Sequence, residues 1–173
     1  MKNKILRIII EHMPDTDPDT SWMGRYSNEP QEWALVRIGE HAGEFVKDLP
    51  DDEDLPHQGR EFRHFNPCAD NYEGCTDDEI RKYCKQDFDR MESLSNGNWC
   101  FIGITAKAEV VSAGGTCQEV TSGGLWGIES DAKDHHKEIE QGQLASLRRE
   151  LLSFGFSRHQ ISRAMKKVET VNA

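Results

Sequence analysis

Apolar residues follow two rhythms along this chain. Ile5–Ile10 is a short β-branched run, and EHMPDTDPDT ends it with two prolines and four acids. That pattern predicts a buried strand, and EWALVRI at 32–38 predicts a second. After residue 76 the step changes to three and four: Ile80, Tyr83, Cys84, Phe88, Met91 and Leu94 share one helical face. Thr76 and Glu79 form a capping box at its start, and Gly97 supplies a left-handed stop. NWCFIGITAKAEVV then reads as a long strand with a bulge near Gly103. AGGT turns it into CQEVTS, and SGGLWGIESD adds a third strand whose glycines admit a close neighbour.

A second helix starts at Ser130 or Asp131, with Ile139, Leu144, Leu147, Leu151 and Phe154 inward and Gly155 as its stop. A last one has Ser157 and Gln160 in capping-box relation and an apolar face of Ile161, Ala164, Met165 and Val168. Strand-rich and helix-rich runs are segregated, which predicts an α+β fold. The expected form is a small antiparallel sheet packed against two or three helices, with a C-terminal helical hairpin at 131–170 and one domain over 1–173. Trp99, Phe101, Ile104 and Trp126 are expected in the core between sheet and helices.

Composition narrows the setting. Charged residues make up 30% of 173 and hydrophobic ones 36%, so much of the chain is surface or loop. No apolar run approaches the roughly 20 residues of a membrane helix. The opening MKNKILRIII has lysines before an apolar patch, as a signal peptide has. Arg7 interrupts that patch, and it runs into acids without a small-residue cleavage site, so a cytoplasmic protein is expected. Five cysteines, an odd number at irregular spacing, fit reduced thiols rather than a disulfide framework.

Charge divides the chain. The net value is −10, yet residues 148–173 hold six Lys/Arg against Glu150 and Glu169, leaving −14 for 1–147. An acidic body repels phosphate broadly, and the tail is where a phosphate would be tolerated. Five acids lie in seven residues: Asp48, Asp51, Asp52, Glu53 and Asp54. This tract is either a solvated loop or a recognition patch for a basic partner, with Asp15, Asp17 and Asp19 as a second patch.

Local signatures of chemistry are weak. His57, His64, Cys68, Cys75 and Cys84 are zinc-compatible types within 28 residues, but the tight knuckle spacing of structural zinc is missing. Cys84 falls on a helix's apolar face, and the adjacent His135 and His136 point different ways. No phosphate loop, dinucleotide fingerprint or nucleophile elbow occurs. Glu129 and Asp131 read as helix-start acids. The expectation is therefore no metal, no cofactor and no enzyme activity.

LLSFGFSRHQISRAM is the one stretch that looks like a motif. ISRAM resembles the recognition helices of bacterial helix-turn-helix repressors, which makes Arg158, His159, Arg163, Lys166 and Lys167 candidate nucleic-acid contacts. Leu151 and Glu150 depart from that pattern, one too bulky and one polar where it wants an apolar residue. The same stretch is similar to the first two helices of a ubiquitin-associated domain, whose third helix has no counterpart before Ala173. NGNWCFIGITAKAEV, SGGLWGIESD and EIEQGQLASLRRELLSFGF together resemble small uncharacterised proteins of bacteriophages and mobile elements, over residues 70–170. The resemblance implies an accessory protein inside a bacterium, and by analogy an inhibitor of a host nucleic-acid-handling defence system of the anti-CRISPR or antirestriction kind. The expected partner is then a host bacterial protein, met by the acidic surface, with no membrane role. A small nucleic-acid-binding regulator is the alternative, and a metal- or cysteine-dependent enzyme the third reading.

Overall fold

A computed structural model describes residues 3–49 and 62–172. In chain order they form β1 (Lys4–Pro14), β2 (Gly24–Ser27), β3 (Leu35–Val36), β4 (His64–Pro67), α1 (Asp77–Ser95), β5 (Phe101–Val111), β6 (Cys117–Thr121), β7 (Leu125–Glu129), α2 (Lys133–Ser153), α3 (Arg158–Ala164) and β8 (Val168–Asn172), with short 3-10 turns between. The content is α+β. The chain groups into two compact units, 1–18 with 99–173, and 19–98.

The first unit is built on β1 and β5, antiparallel from Lys4↔Val111 to Pro14↔Ile102. Sheet order is β6-β5-β1-β8, and β7 joins the same side of β5 as β6 with a register shift across Gly103. One sheet face carries Ile8, Ile10, Ile102, Ile104, Ala106 and Ala108 into a core closed by Ile139, Leu147 and Leu151 of α2, with Phe156 and Ile161. The two alanines let the helix lie close to β5. The opposite face is an ionic ladder in which Arg7 pairs with Glu109, and Lys107 reaches Glu11 at 2.6 Å and Glu119 at 3.7 Å.

Four expectations change here. β8 runs parallel to β1, so the sheet is mixed. Val168 belongs to that strand and not to a helix: α3 ends at Ala164, and the β-branched Val168, Thr170 and Val171 extend along the open edge of β1. Phe154 is 59% exposed and Phe156 buried at 4%. Gly155 reverses the chain with φ +83°, and Phe156 N–H returns to Leu151 O, the six-to-one bond of a Schellman stop that carries the following apolar residue inward. Trp99, Phe101 and Ile104 are buried as expected, but Trp126 is 49% exposed.

The second unit has a three-stranded antiparallel sheet, order β2-β4-β3, against which α1 packs through Phe65 and Phe88, rings 5.9 Å apart. The capping box at Thr76 forms, and Cys84, Phe88 and Met91 are the buried face of α1. Gly97 N–H and Asn98 N–H bond Leu94 O and Ser93 O, a second Schellman stop. EWALVRI contributes only the two-residue β3. Fully buried Asn66 accepts from Gln31 N–H and donates to Glu29 O, which fixes the approach to the cleft described next.

Candidate functional site

Of the four singled-out acids that fall among the described residues, three are already engaged. Asp48 forms a two-pronged bridge to Arg81, 2.5 and 3.0 Å, and the guanidinium holds its carboxyl below the usual range. Asp15 accepts Gly127 N–H at 3.0 Å and Asp17 N–H at 3.2 Å. Asp19 caps a turn through the hydroxyl and N–H of Ser21, which lowers its pKa. Asp17 is exposed. Asp51, Asp52, Glu53, Asp54 and His57 lie outside the described residues.

A different set of carboxylates lines a cleft of about 550 Å³ in the second unit. Glu32, Asp70 and Glu73 surround its mouth, exposed, and Trp33, Tyr72 and Ile80 form apolar walls. Loop 28–34, the 3-10 turn Ala69–Tyr72 and the first turn of α1 supply these residues. Lys47 Nζ stands 3.1 Å from the Trp33 ring centroid, and Phe45 meets the same ring edge-on, so the indole is fixed. Behind the wall, the buried Tyr72 donates its hydroxyl proton to Asp87 Oδ2 at 2.6 Å. Burial raises the pKa of both groups, and pushes the nearby Cys84 thiol up to about 11. Cys84 therefore stays a protonated, unreactive thiol at neutral pH.

His64 is buried and its pKa is lowered by desolvation. Among the described residues no three His, Cys, Asp or Glu side chains are arranged to hold a metal. All five cysteines are free thiols.

The first unit holds a second cleft, about 460 Å³, lined by His12, Cys100, Ser130, Lys133 and His136 among others. His12 Nε2 bonds Glu140 Oε1 at 2.8 Å, and the His136 ring stands edge-on to it, centroids 5.6 Å apart. His136 Nε2 lies 2.9 Å from Glu129 O; a carbonyl only accepts, so this nitrogen carries the proton. Ser130, which with Thr170 brings a hydroxyl to the cleft, has its oxygen accepting Cys100 N–H at 3.0 Å.

No family model matches this chain, and neither curated proteins nor solved structures provide a match. The clefts are therefore read on their own chemistry.

At the C-terminus Arg158, His159, Arg163, Lys166 and Lys167 are all exposed. They do not act as one helix face, because α3 has seven residues and Lys166 and Lys167 fall in the 3-10 turn after it. Arg163 and Lys167 instead share a depression with Lys4 and Arg7 of β1. Sequence reasoning missed this grouping, as it missed Glu32, Asp70 and Glu73, and Glu140 opposite His12. The partners of His12 and Arg163 lie more than a hundred residues away, so no local spacing signals them.

Proposed function

We propose that the protein acts by binding, not by chemistry, and that its partner is a basic surface of a host bacterial macromolecule, as for an accessory protein of a phage or mobile element that blocks a nucleic-acid-handling system. The observation that carries this reading is the cleft where Glu32, Asp70 and Glu73 flank Trp33 and Tyr72. Carboxylates that form no ion pair among the described residues, beside fixed aromatic rings, suit Lys or Arg side chains, which stack their cation on the ring and offer donors to the acids. The net charge of −10 steers such a partner toward contact.

The test is capture from bacterial lysate, followed by mass spectrometry, with wild type beside Trp33→Ala and a Glu32→Gln/Asp70→Asn/Glu73→Gln variant. A basic nucleic-acid-handling protein enriched by wild type, released by salt and lost with both variants, is the expected result. Equal capture by the triple variant would overturn the reading.

A further inference from the structure

The acidic chain also carries a depression of opposite sign. It measures about 410 Å³ and is lined by Lys4, Arg7, Arg163 and Lys167, with Glu169 as its one acid and Gln160 at its side. Its origin is topological. β8 pairs with β1 only from Ile8 onward, so residues 4–7 have no strand on that edge. The end of α3 and the turn Met165–Lys167 face that edge and leave a gap between. A register shift between Ile5 and Arg7 leaves Leu6 exposed beside it.

The four cations differ in freedom. Arg7 is held by Glu109 and approached by Glu169 at 3.8 Å, so its charge is largely compensated. Lys4, Arg163 and Lys167 form no ion pair among the described residues and stay exposed. Gln160 is fixed by its side-chain bond to Asn3 O at 2.6 Å, which ties α3 to the start of β1 and holds the two rows of cations in place. A plainer account is that Arg163, Lys166 and Lys167 only complement the C-terminal end of α3. It explains neither Lys4, which comes from the other end of the chain, nor the gap the cations surround.

We infer that this depression is a phosphate-binding site, and that its occupant is the backbone of a nucleic-acid strand. Three cations with no ion pair among the described residues, around a concave, open-edged floor, suit a chain of several linked negative charges better than a single carboxylate. Arg163 offers the forked donors that phosphate recognition favours. No base-reading helix is involved, so binding is independent of sequence. The site lies in the unit that does not hold the Trp33 cleft, so it stands or falls separately from the protein-binding reading.

The experiment is fluorescence anisotropy of a labelled single-stranded oligothymidine, about twelve nucleotides long, at rising salt. With three phosphates neutralised, the slope of log K against log salt is expected near −2, flattening to about −0.7 in Arg163→Gln/Lys167→Gln, which also binds at least about tenfold more weakly at low salt. Lys4→Gln is expected to weaken binding as well. Lys137→Gln, on an exposed part of α2, and the Glu32/Asp70/Glu73 variant should keep wild-type affinity. Displacement by inorganic phosphate supports recognition of the group itself, and resistance to it supports contact with several linked phosphates. Three results would overturn the inference: no binding at about 20 mM salt, an equal loss with Lys137→Gln, or equal affinity for polyglutamate of the same charge.

Discussion

Gly103 and Trp126 form a pair whose energetics can be worked out in advance. A Cβ built on Gly103 would lie 2.3, 2.5 and 2.6 Å from three atoms of the Trp126 ring, where real contacts do not occur. The backbone at Gly103 has no positive φ, so alanine is unacceptable there only because of the indole. Trp126 is half exposed and so buries about 125 Å² of a side chain that covers up to ~250 Å², worth about 3 kcal/mol at ~25 cal/mol per Å². Gly103→Ala must either shift the strand or swing the ring into solvent, and we expect a loss of about 1–3 kcal/mol. Trp126→Ala alone is expected to cost no more than about 3 kcal/mol, less than the ~3–5 of a fully buried Trp. The decisive measurement is the double-mutant cycle by urea denaturation. Once the ring is gone, Gly103→Ala should stabilise by about 0.5–1 kcal/mol, because alanine loses less backbone entropy in a strand. If the two substitutions prove additive, the ring does not lie on Gly103.

Three other outcomes test the assignment more briefly. Phe156→Ala should lower stability by about 3–5 kcal/mol and Phe154→Ala by less than about 0.5, by thermal or chemical denaturation; the reverse order would restore the inward Phe154 of the helical pattern. Burial raises the pKa of Asp87, so its ionised form weighs against folding at neutral pH and the burden lifts as pH falls through the folded pKa. Asp87→Asn, which still accepts from Tyr72, should therefore melt higher than wild type at pH 8, with the gap closing in acid. Asp87→Ala, which strands a buried hydroxyl, should lose about 1–3 kcal/mol. For His64 the shift is downward, so the unfolded chain binds its proton first and stability erodes as pH drops below about 6.5. A pH-melting profile unchanged by His64→Gln would show that this ring does not titrate on unfolding.

What could be read from sequence was what neighbours in sequence decide. The capping boxes at Thr76 and Ser157 were visible because their donors and acceptors lie three residues apart. Helix stops at Gly97 and Gly155 were visible because only a left-handed residue ends them so. β1, β5 and the irregularity at Gly103 followed from period and composition. Wherever a partner from afar decides, periodicity misled. Val168 continues the three-and-four step of Ile161 and Met165, yet the vacant edge of β1 offers it a ladder of backbone bonds, and seven residues of α3 are too few to resist. Trp126 looks like core by type, but the flat surface it needs is Gly103, on the face away from α2. β2 and β4 are four residues each, with too little pattern to separate them from loop.

The same distinction governs which charges are open to a partner. Counting acids along the chain put the contact surface at Asp48 and its neighbours and at Asp15, Asp17 and Asp19. A carboxylate bridged to Arg81 at 2.5 and 3.0 Å must give up that pair before it can meet another cation, and an exposed pair exchanged for a similar one gains little. Asp15 and Asp19 would likewise release the backbone they hold. Glu32, Asp70 and Glu73 have no ion pair among the described residues to surrender, and beside Trp33 they can strip water from an incoming guanidinium over an apolar wall. Neutralising Asp48 should therefore weaken partner capture far less than neutralising these three. Equal losses would return the contact surface to the tract at Asp48.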